Sequence, residues 1–482
     1  MQRKVSTLAV GALAVSLVIP VYAQDVSQNP ATARPTAARE EPREHEKNEE
    51  RVEQLERKLE IIAEDLETMR REAIISEPEY KISHQLGPAA SRVYSTTKPG
   101  VSIAGYGQGF YQWSDAQTNK ANLLRQTFYF GYRFNDWIVF NSEIEFETKA
   151  EVEGETSGQS VDPIPTPDEE GEEGEIEREF EAGAEFAYLD FLLDQRVNVR
   201  AGLLLLPLGF INQIHEPPTF YGNLRPVVET AIIPTTTREN GVGIYGDLFS
   251  GTPASMTYAL YGINSYDASG LEADGLSHVR QNGAAIAEDL AVTGSLQWQP
   301  TLGLILGGDF FAGDTAQNGD FDGKNVFMTL YDLRAQYKYR GLRVRALFAQ
   351  SNINNSTQVN QTLQSDLEDP TVDTLNAIGS KMTGWYVEAA YNVLPWIVNR
   401  PSQSLSPWFR YSNLDTQQNV PNSIRNSSSF VTSPTFDRQV IATGIDYKPI
   451  PRVAIKLDYR NFNFKGTSDD ENQVLVGLGY YF

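Results

Sequence analysis

Basic residues recur at alternating positions of short segments rich in apolar residues: Arg125, Arg133, Arg200, Arg334, Arg343, Arg345, Arg410, Lys456 and Arg460. A guanidinium offers paired N–H donors that fit a carboxylate or phosphate, and a ladder of such groups along a passage lowers the entry barrier for anions. Glu143, Glu145 and Glu147 fall on the same face of one segment, with Asp332 and Asp458 on others. The pattern therefore also fits a transverse field of paired acids and bases. Both readings stay open, and a mild preference for anions is the expectation. A second set lies between Leu205 and Asn240: His215, Glu216, Tyr221, Arg225, Arg238 and Glu239. This stretch also carries Pro207, Leu208, Phe210, Ile211, Pro217, Pro218, Ile232, Ile233 and Pro234, which is odd for a free surface loop. It is expected to fold inward and constrict a passage, with packing against a neighbouring subunit as the alternative. Arg225 and Arg238 are candidates to face Glu216 and Glu229 across the opening.

Other chemistry is poorly served. The chain has no Cys, which removes thiol catalysis and Cys-based metal sites and suits an oxidising compartment. His45, His84, His215 and His278 are scattered, so neither a metal site nor a cofactor is expected. A net charge of −23 makes nucleic acid a poor partner. No catalytic residue is assigned and no enzyme is expected.

The bases and acids need elements that hold them at alternate positions, and strands do this. In 452–464, Val453, Ile455, Leu457 and Tyr459 oppose Lys456, Asp458 and Arg460. In 341–350, Leu342, Val344, Ala346 and Phe348 oppose Arg343 and Arg345. Lipid outside and water inside demand this period-two pattern. In the last ten residues, Val474, Val476, Leu478, Tyr480 and Phe482 fall on one face, and Leu475, Gly477, Gly479 and Tyr481 on the other. Such an edge invites aggregation in water but can close a barrel against its first strand.

Strands are expected to begin near Val101, Leu123, Trp137, Phe180, Gln195, Gly241, Ala254, Leu290, Leu302, Phe327, Gly341, Thr383, Ser404, Arg438, Arg452 and Gln473, about 16 in all. Their connections alternate in length. Asn135-Asp136, Asp194, Ser250 to Pro253, Gln299 to Thr301, Arg340 and Lys448 to Pro451 are brief, while 150–176, 205–240, 264–289, 313–325, 351–382 and 413–437 are long and polar. These are the periplasmic and extracellular ends of an outer-membrane barrel. Only Leu394 to Gln403 is long for a periplasmic turn. The fold class is all-β: a transmembrane antiparallel β-barrel of about 16 strands over 101–482, preceded by a short periplasmic coiled-coil helix.

Upstream, Arg3 and Lys4 precede an uncharged run from Leu8 to Pro20 and a Val21-Tyr22-Ala23 cleavage site, so 1–23 reads as a signal peptide. Residues 24–48 read as disordered. Over 49–75, Val52, Leu55, Leu59, Ile62, Leu66, Met69 and Ala73 form an a/d heptad seam flanked by Arg51, Glu56, Asp65 and Arg70. Arg51 to Glu56 resembles a short trimerisation motif, and Leu59 at a followed by Ile62 at d leans away from a dimer, so a homotrimer is expected. A lone amphipathic helix is the alternative. Residues 76–100 read as a linker, and Asp168 to Glu175 as a solvated acidic loop tip.

Arg200-Ala201-Gly202 followed by Pro207-Leu208-Gly209 resembles the strand and loop entry of the phosphate-selective porin O/P superfamily, in its dicarboxylate-porin-like branch with an N-terminal coiled coil. The resemblance implies a trimeric outer-membrane porin passing small hydrophilic, anionic solutes, with outer-membrane lipid as its surroundings. The chain departs from phosphate-specific members in lacking a dense lysine cluster between Leu205 and Asn240. Two alternatives remain: a plugged structural barrel tethering the outer membrane through its coiled coil, and an outer-membrane lipid hydrolase. The latter needs a Ser–His pair near the lipid boundary, whereas His215 and His278 fall in expected loops.

Overall fold

The computed structural model describes residue 57 and residues 84–152, 176–251, 254–319, 321–365, 375–398, 400–466 and 470–482. The signal peptide, the disordered segment, the coiled coil apart from Arg57, residues 76–83 of the linker and the acidic tip lie outside the described residues. The barrel falls in the compact unit Leu66–Phe482.

Sixteen antiparallel strands form one closed barrel in sequence order. They are β1 (Gly100–Ser114), β2 (Lys120–Arg133), β3 (Ile138–Val152), β4 (Ile176–Leu192), β5 (Asn198–Leu205), β6 (Arg238–Phe249), β7 (Ser255–Asn264) and β8 (Leu290–Thr301). The circuit continues through β9 (Leu304–Asp314), β10 (Phe327–Tyr339), β11 (Leu342–Ile353), β12 (Lys381–Tyr391), β13 (Ser404–Asn419), β14 (Asp437–Ile450), β15 (Val453–Phe464) and β16 (Asp470–Tyr481). Strand number and order match the expectation, and starts differ by a few residues. The largest departure at a strand end is β13, which runs to Asn419 because Ser412, Leu414 and Thr416 keep alternating inward. Polar residues on both faces had made this stretch look like loop.

The seam is the pairing expected of the last strand: β16 lies on β1 in register Tyr106↔Tyr481 through Ser114↔Gln473. Closure leaves no free edge, so the ladder satisfies the wall's backbone groups internally, as a bilayer requires. The outward face is apolar and exposed, as at Leu333 (62 %) and Val476 (51 %). The inward face carries Arg, Lys, Glu and Asp. This inversion of the usual soluble pattern makes the wall a membrane-spanning one. No described helix is long and apolar enough to cross a membrane.

Short connections gather at one end. The exception is again 392–403, where a 3-10 turn (Leu394–Trp396) leaves Trp396 (79 %), Ile397 and Val398 exposed. At the other end, long connections carry a helix (Ser356–Ser365) and a small parallel pair, Leu375–Asn376 with Phe430–Val431.

The interior corrects one expectation. An aqueous lumen lined by free bases is not what the wall encloses over much of its height. The β5–β6 connection, 206–237, folds inward and is almost wholly buried. The β7–β8 connection also turns inward, where Leu276 N donates to Ala231 O (2.7 Å) and Thr416 Oγ1 to Ala273 O (2.5 Å). Tyr266 stacks on Phe311 at 4.2 Å. Residues 84–95, expected to be linker, enter at the short-turn end: Ala90–Ser95 form a 3-10 turn with Ala90 and Val93 buried.

Candidate functional site

The inward loop is held by the charges that face it. Lys456 on β15 is 1 % exposed and donates to Pro217 O (2.7 Å), Phe220 O (2.9 Å) and Gly222 O (2.6 Å). Arg343 on β11 donates to Thr219 O (3.1 Å) and Arg410 on β13 to Tyr221 O (2.9 Å). Asp458 accepts from Asn223 N (2.9 Å) and Nδ2 (2.5 Å). These bonds run along the arm 217–223, whose prolines leave carbonyls without intrasegment partners. The floor beneath it is the small face of β16: a Cβ on Gly477 would lie 2.1 Å from Asn223 Oδ1, and one on Gly479 2.3 Å from Pro217 Cβ.

The other half of the loop is fixed by acids. Glu229 Oε2 accepts from Phe210 N and Ile211 N, both at 2.8 Å, and Glu229 Oε1 from the Tyr386 hydroxyl (2.6 Å). Gly209 N donates to Asp309 (2.9 Å) and Asp332 (3.1 Å). Glu216 accepts from Ala89 N (3.1 Å) and Ala90 N (3.4 Å). Neither acid faces Arg238 across an opening, because Arg238 pairs with Glu185 at 2.8 Å. Glu185 also accepts from the Thr236 hydroxyl.

The basic residues named from sequence face inward as a set, but each is engaged. Arg125 lies 3.8 Å from Glu145 and 3.9 Å from Glu147. Arg200 pairs with Asp190 (2.7 Å) between the rings of Tyr188 and Tyr245. Arg334 pairs with Asp309 and Asp332, and Arg410 with Glu388. Arg133 donates to the carbonyls of the Asn135-Asp136 turn, away from the loop. Arg460 lies over its neighbour Phe462. Arg343 and Lys448 sit over the Tyr221 ring, which stacks on Trp408. Glu239 accepts from Gln281 N (2.9 Å) and from Asn264. His215 bonds to Glu143 (3.1 Å) and to the Asn212 carbonyl (2.9 Å), so both ring nitrogens are occupied without a serine.

Two guanidiniums differ. Arg345, half-buried on β11, donates to Gln336 Oε1 (2.7 Å) and lies over Phe210 at 4.9 Å. Arg280, from the β7–β8 connection and 8 % exposed, donates to Thr236 O (3.3 Å), the carbonyl that Arg238 also uses (3.1 Å). Burial, then Arg238 beside it, lowers the Arg280 pKa to about 10, so it remains charged at neutral pH. Neither has a carboxylate within 4.0 Å among the described residues. Sequence reasoning found Arg345 but missed Arg280, which lies in a polar connection without strand periodicity. It also missed the partners Glu185, Asp190, Asp309, Glu388 and Asp446.

Near the short-turn mouth, a cleft of ≈540 Å³ is lined by residues including His84, Gln85, Asn198, Tyr245, Thr257 and Gln297. The neighbouring inward residues Ser295, Gln297 and Gln299 are half-buried. Burial lowers the His84 pKa to about 4 against the pull of Asp190, and its neutral ring stacks on Tyr94 at 3.8 Å. No group of three or more His, Cys, Asp or Glu suited to a metal occurs among the described residues.

No protein-family model matches the chain. An uncharacterized protein of Aquifex aeolicus (strain VF5) is 33 % identical over 407 residues, which is 84 % of each chain. The chain belongs to that protein's family. Solved structures similar to it include OmpF of Salmonella typhi in complex with daunomycin, at 15 % identity, covering 79 % of this chain and 97 % of that one, with a TM-score of 0.48. An anion-selective porin from Comamonas acidovorans gives 12 % identity, 80 % and 100 % coverage and a TM-score of 0.46. The outer membrane channel DcaP of Acinetobacter baumannii gives 13 %, 80 % and 99 %, with 0.45. Likeness this loose transfers no function to the family.

Proposed function

We propose that the chain is an outer-membrane channel, working as a homotrimer, that admits small hydrophilic solutes by passive diffusion and prefers anions such as phosphate or carboxylates. The observation that carries the channel reading is the inversion of polarity across a closed wall of sixteen strands. A wall of that count encloses room for a passage when loops do not fill it. The half-buried polar residues of β8 and the cleft beside His84 mark the side where the filling is thinnest.

The anion preference rests on charge balance. Inward carboxylates are occupied: Glu143 by His215, Glu185 by Arg238, Asp190 by Arg200, Glu388 by Arg410, and Glu229 by backbone N–H groups. Arg345 and Arg280 support the preference because neither makes a close ion pair, Glu185 and Glu147 acting on Arg280 only at longer range. The sequence resemblance around Arg200 and Pro207 and the heptad seam support the same reading, including the trimer. The apolar outer belt supports outer-membrane lipid as its surroundings.

Planar-bilayer recordings under a KCl gradient test this. Openings in threes with a chloride-biased reversal potential are expected. In water a unit charge about 5 Å from a passing ion is worth roughly 0.8 kcal/mol. Arg345→Glu reverses the charge and acts oppositely on the two ions, so it is expected to shift the anion-to-cation permeability ratio by about two orders of magnitude toward cations. A cation-biased wild type, or an Arg345→Glu ratio equal to wild type, refutes the proposed selectivity. A complete absence of openings refutes the channel.

A further inference from the structure

We infer that residues 84–95 are a removable stopper in the short-turn mouth, latched to the inward loop by Glu216; this rests on the channel reading above. The segment contributes no strand to the barrel ladder. It is held by separate bonds at its two ends and its middle. Arg200 donates to His84 O (3.3 Å) and Gln85 donates to Tyr258 O (2.8 Å). Asn141 donates to Ala90 O (2.9 Å), and the Tyr94 hydroxyl to Asp190 (2.5 Å). Its link to the loop is concentrated in one place. Glu216 accepts from Ala89 N and Ala90 N, and Gly87 N donates to Gln213 O (3.2 Å). A Cβ on Gly87 would lie 1.8 Å from Glu216 Oε2, so only glycine lets the carboxylate reach over the chain.

The wall behind the segment argues that it can leave. Asn141, Tyr188, Asp190 and Arg200 form a polar surface able to accept water. The Asp190–Arg200 pair is internal to the wall and survives withdrawal. The segment's apolar share is small: Leu86, Ala89 and Ala90 join the buried cluster that holds the loop's Val228 and Ile232, but the loop contributes the bulkier side chains, as Val228 and Ile232 do near Gly384. Here Leu86, Ala89, Ala90 and Val93 supply the apolar contacts, and two of them are alanine. The adjoining cleft already opens beside His84 and Gln85. Glu216 is thus a positioning residue: it couples the stopper to the constriction without touching solute.

The test uses the full chain, whose lack of Cys allows one reporter thiol. Ala90→Cys is probed with a charged maleimide, and conductance is recorded in parallel. Losing two bonds to a charged acceptor is expected to raise the opening equilibrium about tenfold or more, so Glu216→Ala should speed labelling of the Ala90→Cys thiol by that factor. Glu216→Gln, which keeps a neutral acceptor, should fall between. Deleting residues 84–97 should give larger openings than wild type. If the deletion does not fold, the labelling series decides. Equal labelling in wild type, Glu216→Ala and Glu216→Gln overturns the latch. Openings of wild-type size in the deletion overturn the stopper. Accelerated labelling with no openings in any variant upholds the latch and instead sinks the channel reading.

Discussion

Replacing Lys456 by methionine is expected to loosen the inward loop from its wall. All three ammonium protons are spent on Pro217, Phe220 and Gly222 carbonyls, and Asp446 lies 3.8 Å from the same nitrogen. Methionine keeps the stem and removes every donor. Each buried carbonyl left without a partner costs about 1–3 kcal/mol, so a loss of roughly 3–9 kcal/mol is expected at the arm, less whatever water recovers. The barrel ladder itself is untouched. The signature should be a wild-type β-sheet spectrum, a lower unfolding midpoint, and noisier, larger single-channel steps. Lys456→Arg is not a conservative rescue, because a planar fork cannot aim at three carbonyls around one point. A Lys456→Met protein with wild-type midpoint and wild-type steps would show that the arm is held by packing alone.

Asp190→Ala should have an effect of similar size elsewhere on the wall. Asp190 accepts from Arg200 Nε (2.7 Å) and Nη2 (2.9 Å), from Tyr94 (2.5 Å) and from Tyr245 (2.7 Å). Its removal strands a buried guanidinium between two tyrosine rings. Breaking a buried pair by deleting one partner costs about 3–5 kcal/mol. A fall in the unfolding midpoint is expected, with Asp190→Asn intermediate because its amide oxygen still accepts. Restoration of the midpoint by the double change Asp190→Ala with Arg200→Met would show that the stranded charge is the cause. If Asp190→Ala alone leaves the midpoint unchanged, water already reaches this cluster and the mouth is wetter than its burial implies.

The barrel was legible because a membrane wall writes its own pattern. Lipid requires Ile455, Leu457 and Val476 outside, and period-two geometry then sends Lys456, Asp458 and Gly477 inside. Turn chemistry such as Asn135-Asp136 marks the ends. The inward course of 206–237 was legible for a related reason, since its prolines and isoleucines make no sense in solvent. What the lumen does with its charges was not legible. A base on the inner face reads the same whether it meets water, a carboxylate or a loop carbonyl. Lys456 and Arg410 were found by alternation, yet the loop carbonyls they hold lie across more than a hundred residues of sequence and obey no period. Residues 84–95 escaped for want of any periodicity. Leu86-Gly87-Pro88-Ala89-Ala90 carries small and apolar residues that a solvated tether does not need, and that was the available signal.

The glycines of the last strand also have a bearing on the order of assembly. β16 is at once the strand that shuts the seam on β1 and the floor on which Asn223 and Pro217 rest. The seam joins parts of the chain separated by nearly its whole folded length, so its closure entropy is the largest in the ladder and it should form late. If the arm arrived after the seam was shut, it would have to thread into a finished cylinder. The economical route has the arm lying across the open sheet while the last hairpin swings over it. Gly477 and Gly479 then act as clearance for a moving part, and bulk at either position should slow barrel completion even where the finished protein could tolerate it.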